Sequence, residues 1–110
     1  MYNCRNNRIN LIRGDSLELL ILINDIDGNP FKPQPTDRLR FAMKKEVSDD
    51  YVVALQKEIP VETLLLKIEP EDTKNLDFGN YYYDIELTTK EGVVETIIPY
   101  TRFVIDGEVH

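Results

Sequence analysis

The sequence predicts an all-β fold, a largely antiparallel sandwich of about seven short strands. Apolar residues recur at every second position in several short segments, which is the period of a half-buried strand. Gly, Pro, Asn and Asp separate these segments at the spacing typical of sandwich domains. No long segment carries a 3.6-residue period, and few gaps can hold the crossover that parallel strands need, so antiparallel pairing should dominate. At 110 residues, the chain fits one domain spanning 1–110.

The most apolar predicted strand spans residues 16–25. Its alternate residues place one apolar set on an inner face and put Leu20 and Leu22 on the opposite face. Apolar residues on both faces indicate either a central strand or a strand whose outer face meets a partner. Residues 25–30 then form a predicted turn, because Asp-Gly and Asn-Pro are turn-forming pairs. The inner set is Leu17, Leu19, Ile21 and Ile23.

Period-two alternation predicts the remaining strands in the same way. The strand over 63–69 places Leu65 on its outer face beside Lys67. A single helical turn is expected over 70–76, since Pro suits the first helical position and acidic residues suit a helix N-terminus. The other predicted strands span 8–13, 37–45, 51–59, 80–89, and 93–100 with its continuation at 103–105, and the predicted turns between them include 47–50 and 90–92.

The chain is acidic, with a formal net charge of −7. Such a surface repels phosphate, so neither nucleic acid nor an anionic membrane is expected as a partner. Arg5, Arg8 and Arg13 form only a short, interrupted basic cluster. Cys4 is the one cysteine, which excludes an intrachain disulfide and suits a reducing compartment. Cys4 is therefore either an incidental thiol or the site of a disulfide between two chains.

Neither a signal peptide nor a membrane span is expected. The first residues contain no apolar stretch of the kind that a signal peptide carries. The longest apolar run, residues 19–23, is five residues long. A membrane-spanning helix needs about twenty.

No catalytic, cofactor-binding or metal-binding residues are predicted. Asn24, Asp25, Asp27 and Asn29 offer several oxygens to a calcium ion, but they lack the closing Glu of a calcium loop and fit a turn better. A second acidic group indicates an exposed corner, because nothing fixes a catalytic separation or raises a pKa. His110 is the single histidine and is terminal, so it gives a nucleophile no base held in place. The members of the second group are Glu69, Glu71 and Asp72.

Residues 77–83, DFGNYYY, carry a more specific signal. They resemble the Asp-x-Gly-x-Tyr-x-Cys corner of immunoglobulin domains, formed here by Asp77, Gly79 and Tyr81 with Tyr83 at the cysteine's place. The resemblance implies that the hydroxyl of Tyr81 bonds back to the backbone a few residues upstream. It also implies that the sandwich is immunoglobulin-like.

A second resemblance spans nearly the whole chain. The order of its short motifs is similar to the immunoglobulin-like domains of phage and prophage baseplate and tail proteins, in particular the N-terminal domain family of siphophage upper baseplate proteins. This resemblance implies a structural module that assembles with other virion proteins, in a virion or in the bacterial host cytoplasm. It implies no enzyme activity and no cofactor. The motifs are Gly14-Asp15-Ser16, Asp27-Gly28-Asn29-Pro30, Leu39-Arg40-Phe41, Pro70-Glu71-Asp72-Thr73, Gly79 with residues 81–85, residues 94–97 and Phe103-Val104-Ile105.

Protein–protein assembly, including formation of a homo-oligomer, is therefore the expected function. The outward residues Leu20, Leu22 and Leu65 are the candidate interface. The alternative is a carbohydrate-binding or adhesin-like module, with the Tyr81–Tyr83 run as its platform. Alternation buries Tyr81 and Tyr83 and exposes Tyr82, which favours packing over sugar stacking. The third alternative, an enzyme, has no supporting motif.

Overall fold

Short strands separated by turns make up most of the fold, as the alternation predicted. The computed structural model describes residues 2–5, 7–45 and 53–107. The predicted turn over 47–50 and the start of the predicted strand 51–59 lie outside these residues. The elements are β1 (Tyr2–Arg5), β2 (Arg8–Ile12), β3 (Leu17–Leu20), β4 (Arg38–Lys44), β5 (Val53–Ile59), β6 (Leu65–Ile68), α1 (Pro70–Thr73), β7 (Gly79–Thr88) and β8 (Val94–Asp106).

The strands form two sheets that enclose one apolar core. The larger sheet has six strands in the order β1-β2-β8-β7-β4-β5, and the smaller pairs β3 with β6. Every second residue of β4 and β7 is buried, so alternation directs one face of each strand inward. The small sheet closes the other side of the core, as expected for a β-sandwich. Its contributions are Leu17, Leu66 and Ile68.

Three aromatic rings lie at the centre of the core. The centroid of Phe41 in β4 is 5.3 Å from that of Tyr83 in β7 and 6.3 Å from that of Phe103 in β8. Tyr83 and Phe103 meet edge to face at 6.1 Å. Such stacked and edge-to-face pairs stabilise the core beyond the contribution of the apolar area that the rings bury. The cluster therefore ties three neighbouring strands of the large sheet together.

Antiparallel pairing dominates among the described strands, as predicted, and the exception is the pair β2 and β8, which are parallel. Ile9 lies beside Phe103, and Leu11 lies beside Ile105. The prediction was based on the gaps between consecutive strands, most of which are too short for the crossover that parallel strands need. Nearly the whole chain separates β2 from β8, so the length that a parallel connection requires is available. The strand β1 was not predicted; it pairs antiparallel with β2.

The predicted strand over 93–100 and its continuation at 103–105 form one strand, because β8 runs through Pro99. Ile85 pairs with Ile98, and Tyr83 pairs with Thr101. Pro99 and Tyr100 therefore share the space opposite one residue of β7. A proline lacks the N–H that a regular ladder needs, and a bulge accommodates it without ending the strand.

The apolar strand predicted over 16–25 is shorter than expected, since β3 ends at Leu20. Leu64, which directly precedes its partner β6, has a left-handed conformation at φ 56°, which ends the regular ladder there. The N–H of Ile21 still donates to the carbonyl of Leu64, at 2.8 Å. Beyond that point the N–H of Phe31 donates to the carbonyl of Ile23, at 2.8 Å. The chain thus continues extended into the turn predicted at 25–30.

The predicted helical turn at 70–76 is confirmed as α1, which is shorter. The side chain of Thr73 in α1 is fully buried, and its hydroxyl oxygen accepts a hydrogen bond from the N–H of Gly14, at 2.9 Å. This contact ties the turn to the loop that precedes β3. Among the described residues, no helix has the length and apolar character needed to cross a membrane.

Candidate protein-binding surface

The outer face of the small sheet carries exposed leucines. Leu20 is 60% exposed and Leu22 is 76% exposed, while Leu17 on the inner face is 1% exposed. Leu65 lies directly opposite Leu20 in the β3–β6 register and is half-buried. We call Leu20, Leu22 and Leu65 together the leucine surface. Two of its three members thus present most of a large apolar side chain to solvent.

Charge on this face is locally balanced. Glu18 and Lys67 are register partners, with Oε1 of the carboxylate 3.7 Å from Nζ of the lysine. Both side chains are more than half exposed, so the pair contributes little to stability. Its effect is on the surface field: the leucine surface carries no local excess of charge on a chain whose net charge is −7.

The oxygen-rich loop after β3 uses its oxygens to build a turn. Oδ1 of Asp25 accepts hydrogen bonds from the N–H groups of Asp27 and Asn29, each at 2.9 Å. Gly28 takes φ 85°, which glycine adopts without strain, and its N–H donates to the carbonyl of Asp25. This geometry agrees with the turn interpretation of the loop. Within the described ranges, no three His, Cys, Asp or Glu side chains group closely enough to hold a metal ion.

The corner residues lie together at the entry to β7. The hydroxyl of Tyr81 donates to the carbonyl oxygen of Asp77, at 2.9 Å. Burial raises the pKa of the Tyr81 hydroxyl, and the nearby Asp77 carboxylate raises it further. Gly79 has φ 128°, a conformation that side chains disfavour. Asp77 also contacts Nζ of Lys45 through its Oδ2, at 3.4 Å.

The acidic corner around α1 has a structural role. Oδ2 of Asp72 accepts a hydrogen bond from the N–H of Glu69, at 2.8 Å, and thereby caps the turn. The same oxygen lies 2.6 Å from Nζ of Lys57 in β5. Glu71 is exposed in the first turn. His110 lies outside the described residues, and so does the side chain of Cys4.

Sequence reasoning missed a buried carboxyl on the outer face of the large sheet. Asp84 in β7 is 8% exposed, and burial followed by the charge of Glu86 raises its pKa. Ala42 lies opposite in β4, and Arg40 forms an ion pair with Glu86 beside it. Alternation alone assigned Asp84 to solvent. The small side chain of Ala42 was the available signal, but using it required the β4–β7 register.

Exposed rings are spread over the surface. Tyr81 and Tyr83 are buried, as the alternation predicted, whereas Tyr82, which was predicted to be exposed, is half-buried. Tyr100 in the neighbouring strand β8 is 41% exposed. Phe78 is also exposed, but the guanidinium of Arg13 lies 4.1 Å from its ring centroid. That cation–π contact gives one ring and one of the three early arginines a structural role.

No protein-family model, curated protein or solved structure matches this chain. The case for the leucine surface as a binding site therefore rests on its geometry and charge.

Proposed function

We propose that the chain is an immunoglobulin-like module that acts by protein–protein assembly in a phage or prophage tail or baseplate, without catalysis. The observation that carries the proposal is the pair Leu20, which ends β3, and Leu22, two residues further along the chain, both more than half exposed. Single exposed apolar residues are ordinary, whereas a contiguous apolar group on a sheet is typical of a binding surface. Burying such side chains against a partner is favourable by roughly 25 cal/mol per Å².

The arrangement of strands supports the immunoglobulin-like part of the proposal. In that fold one sheet contains strands G, F, C and C′ side by side, and strands B and E lie together in the other. The order β8-β7-β4-β5 corresponds to the first set, and the pair β3-β6 corresponds to the second. The hydrogen bond between Tyr81 and Asp77 occurs where that fold has its tyrosine corner.

The phage part of the proposal rests on the order of motifs along the sequence. It names the class of partner, other virion proteins, and the setting, a virion or the cytoplasm of a bacterial host. The acidic net charge supports a protein partner over nucleic acid, because −7 opposes binding to phosphate.

The proposal is tested by mixing the purified chain with the products of the genes that flank its own and measuring the mass of the resulting species. A double variant, Leu20→Lys with Leu22→Lys, should lose the complex that the native chain forms. The matched control is Val93→Lys with Val94→Lys, which alters two residues of similar exposure, 54% and 55%, on a different part of the surface. The proposal fails if both double variants bind as the native chain does.

A carbohydrate-binding module is the second candidate. It is favoured by Tyr82 and Tyr100, which lie on the adjacent strands β7 and β8 of the large sheet. Tyr82 pairs with Arg102, and Tyr100 lies two residues before Arg102 in β8. Exposed tyrosine rings can stack on sugars, but Tyr82 is half-buried. A glycan array decides between the two functions: binding that Tyr100→Ala abolishes would support this candidate, and silence across the array would reject it.

A further inference from the structure

The small sheet consists of β3 and β6 alone, so the outer side of β3 has no partner strand among the described residues. The hydrogen bond from Ile21 to Leu64 directs the main-chain groups of Ile21 toward β6. Alternation in an antiparallel ladder then directs those of Leu20 and Leu22 the opposite way. By the same alternation the carbonyl of Ile23, which accepts a hydrogen bond from the N–H of Phe31, points the same way as the main-chain groups of Ile21. The N–H and C=O groups of Glu18, Leu20, Leu22 and Asn24 therefore point to the outer edge, which we call the β3 edge.

The β3 edge also lacks the devices that protect other edges. The edge strand β5 carries Lys57, the register partner of the buried Phe41, as an inward-pointing charge, and a register shift between Met43 and Lys44 disturbs its ladder. Inward charges and bulges of this kind discourage pairing with another chain. Residues 18–24 contain no proline and no lysine, and Glu18 is their only charge. A strand of such composition is open to pairing.

We propose that a second copy of the chain pairs with the β3 edge, antiparallel, about a two-fold axis at Ile21. Leu20 then lies opposite Leu22 of the second copy, and Glu18 lies opposite Asn24. An axis at Leu20 would bury Glu18 against a leucine, and an axis at Leu22 would set Leu20 against Asn24. Only the axis at Ile21 matches apolar with apolar and polar with polar, so this edge is complementary to itself.

The resulting interface combines main-chain hydrogen bonds with apolar contacts between the leucine surfaces of the two copies. Pairing over residues 18–24 forms about eight main-chain hydrogen bonds and merges the two small sheets into one of four strands. The leucine surfaces of both copies become one apolar face, and Glu18 and Lys67 keep that face locally neutral. The net charge of −7 on each copy opposes approach, so added salt should strengthen the association by screening it.

This inference rests on the proposed function that the leucine surface binds protein, and it names the partner. Amide hydrogen exchange followed by NMR tests it at a low and a high concentration of the native chain. The amides of Leu20 and Leu22 should exchange ~10-fold more slowly once ninety per cent of the chain is dimeric. The amides of Leu19 and Ile21 point toward β6 and Leu64 rather than to the β3 edge, so their exchange should change little. Unchanged exchange at Leu20 and Leu22 at every concentration up to saturation overturns the proposal.

Two proline variants test the edge independently. Leu22→Pro removes an N–H that points to the β3 edge and leaves the β3–β6 ladder intact. Lys67→Pro is the control, because its N–H also points away from β3, but at the opposite edge of the small sheet. Light scattering should give twice the chain mass for the native protein and for Lys67→Pro, and the single chain mass for Leu22→Pro. The reverse pattern would place pairing on β6 and overturn the proposal.

The outcomes separate this inference from the proposed function. If the native chain is monomeric but binds flanking-gene products through the leucine surface, the second copy is rejected and the function stands. If the chain dimerises through the β3 edge but binds no such product, the pairing stands and assembly with other virion proteins is rejected. Far-UV circular dichroism establishes that each variant is folded, and the exchange measurement on the native chain needs no variant.

Discussion

The hydroxyl of Tyr81 donates a hydrogen bond to the carbonyl oxygen of Asp77, 2.9 Å away and four residues upstream. The ring is 3% exposed, so the bond joins the core to the turn that enters β7. Gly79 takes φ 128° within that turn. The bond therefore ties the turn that enters β7 to the start of that strand, on which Asp84 and two of the core's aromatic residues lie.

Removing this hydroxyl should destabilise the fold. We expect Tyr81→Phe to lower the free energy of unfolding by about 1 kcal/mol, since the ring stays in place and the carbonyl of Asp77 loses its partner. Tyr100→Phe is the control: its side chain is exposed, and the change should stay within about 0.5 kcal/mol. Urea denaturation measures both. Equal effects of the two substitutions would contradict a role for the Tyr81 bond.

Asp84 should make stability depend on pH. Burial raises the pKa of its carboxyl above the ordinary value of 3.8, so the folded chain binds this proton more tightly than the unfolded chain. The free energy of unfolding therefore falls as the pH rises from about 3.8 through the raised pKa, and it remains lower at neutral pH. Because the side chain of asparagine does not ionise, Asp84→Asn should remove this loss of stability at neutral pH.

The test compares Asp84→Asn with the native chain by urea denaturation at pH 3, 5 and 7. The stability of the variant relative to the native chain should be greater at pH 7 than at pH 3. Asp27→Asn, which alters an exposed carboxylate at a loop tip, serves as the control. A difference that is constant across the three pH values would show that ionisation of Asp84 costs the fold nothing.

The aromatic cluster should account for a large share of stability. Phe41 is fully buried between Tyr83 and Phe103, so Phe41→Ala leaves a cavity that its neighbours fill only in part. We expect a loss of about 3–5 kcal/mol. Ile26→Ala is the matched truncation at a fully exposed site and should change stability by less than about 0.5 kcal/mol. Thermal and urea unfolding check both, and a loss below about 1 kcal/mol for Phe41→Ala would be inconsistent with this core.

Lys57 and Asp72 should be energetically coupled. Their charged atoms lie 2.6 Å apart, and their side chains are only 26% and 19% exposed, so water screens the pair less than the surface pairs. A double-mutant cycle with Lys57→Met and Asp72→Asn should give a coupling of about 1 kcal/mol. Asn keeps an acceptor for the N–H of Glu69, which separates the ion pair from the cap. Additive effects would mean that the contact is energetically neutral.

The sequence predicted the all-β class and the facing of its strands because period two is a local signal. Leu20 and Leu22 could be assigned to the outer side of the chain from their own neighbours in sequence. The parallel pairing of β2 with β8 could not be predicted in this way, because it joins residues such as Ile9 and Phe103 from opposite ends of the chain. Burial of Asp84 depends likewise on the β4–β7 register. Long-range pairings of this kind leave no trace in the local pattern.

The most direct test of the central claim is the mass in solution, by light scattering over a concentration series, of the native chain and of the double variant Leu20→Lys with Leu22→Lys. The series is run on each chain alone and with the flanking-gene products. The account predicts that the native chain associates and that the double variant remains at the mass of one folded chain in every mixture. Identical masses for the two proteins throughout would contradict the claim that the leucine surface binds protein.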